Sequence, residues 1–313
     1  MTILISYTLI FAAILLLVAL GGCFSEHSGV INIGLEGIMV IGALGGALVM
    51  QVLSPELPAI VMIIVVMLTA MAFGMVYSLL LAVAAINFSA DQTLVGTAMN
   101  MLATAAATVI VRAINSAQDA ANVSSALKYG AQKDAFTAKI AGFDLNWFVV
   151  ITIIILILSN VVLYKTKFGL RLMACGEHPQ AADSVGINVY AMRYAGVLIS
   201  GALGGLGGIV YITTGVSEWK FEYGVAGFGF LALAVMIFGQ WKPTRIALAA
   251  LLFGLFRSLS NVYVAFDSLV ALGIPSYIYN MMPYVVSLVV LALTSEKSRA
   301  PKAEGIPYDK GMR

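Results

Sequence analysis

Leu145-Asn-Trp-Phe-Val-Val-Ile-Thr-Ile-Ile-Ile-Leu-Ile-Leu-Ser-Asn-Val-Val-Leu-Tyr164 carries no charge and ends abruptly in Lys165-Thr-Lys-Phe-Gly-Leu-Arg171. A helix crossing a hydrocarbon core of roughly 30 Å needs about 20 apolar residues. The stretch therefore reads as a membrane span that stops at a basic interface. Comparable uncharged windows are Thr2–Ser25, Gly37–Ser54, Leu57–Ala90, Gln92–Val111, Tyr194–Ser217, Tyr223–Trp241 and Ser268–Ser295. The 313 residues are 61% hydrophobic and 10% charged, with a mean hydropathy of +0.99. Soluble domains carry about 25% charged residues, so a soluble globular fold is excluded. The fold class is an all-α, polytopic helical membrane protein with about nine spans, the range being eight to ten. Leu57–Ala90 is long. Gly37–Ser54 is short enough for a half-helix, which is tolerated only where protein or a cavity shields its backbone.

Positive charge selects the cytoplasmic loops. Lys165, Lys167, Arg171 and Arg193 bracket one connection, Lys242 and Arg245 mark another, and Lys297, Arg299, Lys302, Lys310 and Arg313 fall in the tail. Placing all three inside leaves the segment 217–223, the turn at Asp267 and the segment Arg112–Asp144 outside. The expected division is a transmembrane domain over 1–295, with a loop at 165–193, and a cytoplasmic tail over 296–313. The N-terminus is expected outside and the C-terminus inside, in a multi-pass plasma-membrane protein.

Cys23 and Cys175 have no metal-like spacing and read as small packing residues. Leu20-Gly-Gly-Cys23 has the look of a lipoprotein cleavage site. A secretory signal, however, wants a basic start, and no Lys or Arg precedes Arg112. A retained first span is the expectation. No nucleophile elbow, His-Glu-x-x-His or Walker-type Gly-x-x-x-x-Gly-Lys-Ser/Thr is present. Neither an enzyme nor a bound cofactor is expected, and no metal or nucleic-acid partner.

Glycines at four-residue spacing, Gly201/Gly205 and Gly204/Gly208, let membrane helices approach closely. Ordinary packing is one reading, and smooth surfaces for sliding is the other. Val30-Ile-Asn-Ile33 before Gly42-Ala-Leu-Gly-Gly46 echoes Gly186-Ile-Asn-Val189 before Gly201-Ala-Leu-Gly-Gly205. A parallel internal repeat would produce that; so would the chance likeness of Gly-rich helices.

The basic connection contains Cys175-Gly-Glu-His-Pro-Gln-Ala-Ala-Asp-Ser-Val-Gly186. Gly169 and Gly176 permit turns, and Pro179 suits the first position of a helix because no amide partner is needed there. Ala181 and Ala182 are small helix formers over which a partner's groove can close, and Gly186 suits the stop. A short helix lying across the membrane surface follows, the alternative being a solvated basic loop. The stretch Gln180-Ala-Ala-Asp-Ser-Val-Gly186 resembles the Glu-Ala-Ala-x-x-x-Gly loop of ABC importer permeases, with Gln180 in place of the usual Glu. Gly29-Val-Ile-Asn-Ile-Gly-Leu-Glu-Gly-Ile-Met39 and Met282-Pro-Tyr-Val-Val-Ser-Leu-Val-Val-Leu-Ala292 resemble the nucleoside and simple-sugar branch, which is related to branched-chain amino acid and ribose permeases.

The resemblance implies that Gly176, Glu177, Pro179, Gln180, Ala181, Ala182 and Gly186 couple to a cytoplasmic ABC ATPase. It further implies an identical or homologous permease subunit, an extracellular solute-binding (lipo)protein and surrounding membrane lipid as partners. A nucleoside or simple sugar is the expected cargo, the same role for branched-chain amino acids being the alternative.

Three polar residues are pathway candidates. Asn32 can cap a helix whose first turn holds Glu36, or both can face the pathway. Arg257, about 18 Å into its span at 1.5 Å per residue, either faces a cavity or snorkels to the outer surface. Trp219, Phe221 and Tyr223 read as an interfacial aromatic belt. A stand-alone secondary transporter is the rival reading. It would need carboxylates near the midplane, whereas every Asp and Glu here falls near a predicted span end.

Overall fold

The computed structural model describes residues 2–130, 133–140, 143–214, 218–266, 271, 273–294 and 300–311. Ser217, Asp267, Lys297, Arg299 and Arg313, used above for the charge pattern, lie outside the described residues. The helices are α1 Thr2–His27, α2 Leu35–Val52, α3 Ala59–Ala82, α4 Gln92–Gln118, α5 Trp147–Lys165, α6 Lys167–Glu177, α7 Pro179–Ser184, α8 Val189–Thr213, α9 Phe228–Phe238, α10 Pro243–Val262 and α11 Ser276–Thr294. Two short antiparallel pairs complete the fold. β1 (Ala126–Lys128) pairs with β4 (Glu218–Lys220), and β2 (Thr137–Ile140) pairs with β3 (Phe143–Asn146).

Eight segments among the described residues are long and apolar enough to cross a membrane. The 19-residue α11 occupies the last window expected from the sequence. The polytopic helical class is the one observed, and the span count falls within the expected range. Leu57–Ala90 is one helix, since α3 runs on through a π-helical turn at Val83–Asn87. The window at Gly37–Ser54 is no half-helix, because α2 is a full 18 residues. The short element is α9, only 11 residues long. Glycine and alanine in left-handed conformations at Gly224, Ala226 and Gly227 (φ 56°, 53° and 79°) break the helix N-terminal to it, where the sequence window looked continuous.

The core is built on α8, which lies against α1, α2 and α3 and is the most enclosed of the spans. A Cβ on Gly42 would overlap the backbone of Gly205, one on Gly208 would overlap the Met39 carbonyl, and one on Gly74 would overlap the Gly201 carbonyl. Gly21 meets the Ser200 carbonyl at 3.0 Å from its ideal Cβ. These are interlocked backbone contacts, so packing is the role the glycines visibly fill. Apolar surface gains nothing by leaving lipid for another helix. Close van der Waals approach between small residues supplies the attraction instead. The two echoing Gly-Ala-Leu-Gly-Gly runs meet each other here, through Gly42 and Gly205.

Two contacts mark the two ends of the bundle. Ser258, near the far end of α10, donates to the Leu4 carbonyl (3.0 Å) at the start of α1. At the other face the end of α1 meets α6, with Gly176 against the His27 carbonyl. That face, which carries α7, is called the α7 face below.

Overpacking a well-filled core costs about 1–3 kcal/mol, and more where backbone must move. Gly205→Leu and Gly208→Val should therefore lower the thermal-aggregation midpoint in detergent sharply and cut membrane yield. Ala105→Leu, on the exposed face of α4, should change neither. Normal transitions in both glycine variants would refute the packing scheme.

Candidate functional site

Two regions hold the candidate residues: the α7 face, and a polar zone inside the bundle around the start of α9.

On the α7 face, α5 turns into α6 at Thr166 alone. The Thr166 hydroxyl donates to the Val162 carbonyl (2.6 Å) and accepts from the Gly169 amide (3.2 Å), capping α6. Gly169 and Gly176 were expected to make turns; both instead lie within α6. They are glycines because α6 presses on backbone, Gly169 on the Val162 and Leu163 carbonyls and Gly176 on that of His27. His178 links α6 to α7, and Pro179 occupies the first position of α7. The Ile187 amide reaches back to Ala182 O (3.1 Å), the Gly186 amide to Asp183 O (2.9 Å), and Gly186 itself has φ 85°. That left-handed residue ends α7. Asn188 then caps α8 through the Ala191 amide (3.0 Å).

Ala181 and Ala182 do not act as a pair. Adjacent helical residues point about 100° apart, so Ala181 is exposed while Ala182, 4% exposed, packs on Cys175, Val189 and Tyr308. Glu177, Gln180, Ser184, Val185 and Gly186 are also exposed. Arg193, counted with the basic flanks of the loop, is buried (1%).

Tyr308 belongs to the C-terminal segment, which folds back over this face. Ala303 N–H donates to Gly176 O (2.8 Å), and Gly305 N–H donates to Gly29 O (3.2 Å). The Tyr308 ring lies edge-on to Tyr190 (5.4 Å) and 6.0 Å from the Arg193 guanidinium. Glu304 enters the same region with one carboxylate oxygen buried and unpartnered among the described residues. Beside it, Glu26 accepts from the Trp241 ring N–H, while His27 Nε2–H (3.0 Å) and Cys23 S–H (3.2 Å) donate to the Trp241 carbonyl. Burial pushes the Glu304 carboxyl up to about 7.

Inside the bundle, Asn32 does not cap α2. Gly34 holds that position, with no side-chain bond to it. Asn32 is fully buried; its Nδ2 donates to Ser200 Oγ (2.8 Å), and its Oδ1 has no partner among the described residues. The contacts of Ser200, eleven residues along α8, place it about 16 Å from the α7 face. The non-helical stretch 28–34 thus dips into the bundle.

Glu36 is likewise tied to another element. Its two oxygens accept from the Gly227 (2.8 Å) and Gly229 (2.7 Å) amides at the N-terminus of α9. A carboxylate there satisfies orphan helix amides and meets the positive end of the helix dipole. Gly229 must lack a side chain because the Glu36 backbone presses on it. Arg257 approaches the start of the same helix. It is half-buried, with its guanidinium 5.3 Å from the Phe228 ring centre, and Phe228 also stacks near Tyr211 (4.6 Å) and Phe11 (5.7 Å). Glu36 and Arg257 therefore meet at the start of α9, on its first two residues and the glycine before it, while Asn32 is tied to α8.

A polar stripe on α4 escaped the sequence reading. Thr93, Thr97, Asn100, Thr104, Thr108, Arg112 and Asn115 recur at three- and four-residue spacing, which was the available signal. Asn100 anchors the stripe by accepting from Gly37 N–H (2.8 Å) and donating to Ile33 O (3.0 Å). Thr97 and Thr108 donate to the carbonyls four residues back (2.8 Å each), leaving their oxygen lone pairs outward. Gly224 lies between this stripe and the carboxylate: its ideal Cβ is 3.4 Å from Thr104 Oγ1 and 4.0 Å from Glu36 Oε1. Arg112 pairs with Glu222 (3.3 Å) at the far end. The expected aromatic belt is mostly inward. Phe221 is buried, Trp219 donates to Gly224 O (2.9 Å), and only Tyr223 is freely exposed.

Two outcomes follow. An acid whose folded value is raised is held neutral when packed, so docking of the tail should lose some stability as pH rises from about 4.5 toward about 7 and change no further above. Proteolysis of the 300–311 segment should accordingly be faster at about pH 8 than at about pH 5, and Glu304→Gln should flatten that profile toward the docked state. A steeper profile in the Gln variant would contradict it. For Glu36→Ala, two amides lose their acceptor, at a cost of about 1–3 kcal/mol each; Glu36→Gln, with one carbonyl oxygen, should fall between Ala and wild type in thermal stability.

Among known proteins, a family profile described as "Branched-chain amino acid transport system / permease component" matches residues 4–294. The guanosine ABC transporter permease protein NupQ of Bacillus subtilis is 42% identical over 319 residues, covering 100% of this chain and 98% of that one. The nucleoside ABC transporter permease protein NupC of Lactococcus lactis is 38% identical, covering 98% and 97%. A putative glucose ABC transporter permease protein, TsgC13 of Haloferax volcanii, is 29% identical, covering 79% and 74%. No solved structure matches. All three relatives are named as transport permeases, not enzymes, and permeases of this kind work with an ATPase and a binding protein. By its match from end to end, the chain belongs to the family of ABC transport-system permease components and is a multi-pass membrane protein.

Proposed function

We propose that this permease imports a nucleoside, with α7 as the contact to a cytoplasmic ATPase and the α9–α4 zone as part of the translocation pathway. The observation that carries the substrate class is the likeness along essentially the whole chain to guanosine and nucleoside permeases at 42% and 38% identity. The interior chemistry is consistent with it. The threonine hydroxyls of the α4 stripe are neutral, which suits ribose hydroxyls and base edges. Glu36 is occupied by the α9 amides, so it acts as the strut that holds α9. Arg257, over Phe228, borders the same zone.

In this reading the α7 face is cytoplasmic, which also puts Lys165, Lys167, Arg171, Lys242, Arg245, Lys302 and Lys310 inside, in keeping with the positive-inside rule. Two permease subunits, identical or homologous, enclose the pathway, and an extracellular binding protein delivers the solute. ATP binding and hydrolysis on the partner push on α7. Because α6 and α7 are joined at His178 and α6 is pressed onto the end of α1, that push is passed to α1 and α8.

Uptake assays in a strain lacking the chromosomal gene test the substrate. Nucleoside uptake should be restored by the wild-type chain, with hexose and branched-chain amino acid uptake unchanged. Restoration of either of those alone would move the substrate assignment. Thr104→Val should lower nucleoside uptake several-fold with normal expression. Arg257→Ala should do the same, and Arg257→Lys should rescue it in part, since the charge stays while the planar guanidinium is lost. Silent behaviour of all three would remove the α9–α4 zone from the pathway.

A further inference from the structure

Ala182 points the wrong way to meet a partner, and the exposed side of α7 is not bare. Between it and the C-terminal segment lies an open cleft of about 430 Å³, lined by Gln180, Ala181, Asp183 and Ser184 on one wall and Tyr308, Asp309 and Lys310 on the other. We infer that the ATPase docks on a composite surface, half α7 and half C-terminal segment, and seats a basic side chain in this cleft. The inference rests on the reading of α7 as the coupling helix and extends it to residues outside the coupling loop.

The fixed part of the second wall is what makes it a docking surface. Tyr308 is 6% exposed, wedged on Tyr190, Arg193 and Ala182, and the backbone behind it is held at Ala303 and Gly305. The residues after it, Asp309 and Lys310, are exposed and stand opposite Asp183 and Ser184. A rigid body approaching α7 closely enough to grip Gln180 and Ala181 therefore meets Asp309 and Lys310 in the same step.

The chemistry of the cleft specifies the kind of group it takes. Two carboxylates, Asp183 and Asp309, face one ammonium, Lys310. The Ser184 hydroxyl donates to Ala181 O (2.8 Å), which leaves its lone pairs as acceptors. Asp309 Oδ1 already takes the Gly311 amide (2.8 Å) and keeps its second oxygen. Two carboxylates against one ammonium leave the lining net negative, so a guanidinium or ammonium from the ATPase is the complement. The tail then has a mechanical role: with Tyr308 on Ala182 and Ala303 on Gly176, it binds α7, α6 and α8 into one block, so a pull on α7 moves α8 rather than bending the loop.

Thiol protection tests this on the full-length permease with and without its ATPase. Cys23 and Cys175 are buried, and burial pushes the Cys175 thiol up to about 11, so background labelling at neutral pH is low. Ala181→Cys and Asp309→Cys should both label with maleimide in the free permease, and both should be protected when the ATPase is bound. Protection at 181 but not at 309 overturns the composite surface and leaves the coupling role of α7 standing. Protection at 309 alone, or at neither, overturns both. Asp309→Lys reports independently. It should weaken ATPase association several-fold without altering the thermal transition of the permease, whereas unchanged association would show that no basic group enters the cleft.

Discussion

Backbone-to-backbone contact along α8 is the constraint on which the rest of this structure depends. In lipid, two apolar helices have no solvent to escape, so attraction must come from atoms brought close. Gly201, Gly204, Gly205 and Gly208 remove the side chains that would hold α2 and α3 away, and Gly42 and Gly74 do the same from the other side. α1 is added through Gly21, Gly196 and Gly207. The helices that bear the candidate pathway residues hang from this centre. Asn32 hydrogen-bonds Ser200 on α8, and Tyr211 of α8 packs on Phe228 at the start of α9.

The same centre ties the α7 face to the interior. α7 is only six residues long. It is coupled to α8 through Ala182 on Val189, to α6 through His178, and to α1 where Gly176 meets the His27 carbonyl. Farther in, Trp241 links the end of α9 back to α1 through Glu26 and His27. Both ends of α9 are thus held, one by Glu36 and one by Trp241. Its 11 residues span about half a bilayer at 1.5 Å each, and an interrupted helix of that kind is tolerated because it is shielded by protein.

Two carboxylates inside the bundle tie distant elements together. Glu36 accepts two helix amides and Glu26 accepts an indole N–H. No cluster of metal-ligating side chains occurs among the described residues.

The sequence by itself determined the class, the span count to within one, the surface helix opened by Pro179 and closed by Gly186, and the glycine interfaces. Each of these follows from local quantities: length of apolar run, fixed φ at proline, freedom of φ at glycine, and four-residue spacing. The family was also legible, because its motifs are short and contiguous. Tertiary structure decided whatever depended on residues far apart. Glu36 looked like a first-turn acid serving its own helix, yet it serves α9 across 191 residues. Asn32 looked like a cap, yet its partner is Ser200, because the 28–34 stretch dips between α4 and α8. Ala181 and Ala182 were interchangeable on paper, and only the position of Tyr308 made one of them core and the other surface. A hydrogen bond or a packing contact between distant segments leaves no periodicity in the chain, so it becomes visible only once the helices are assembled.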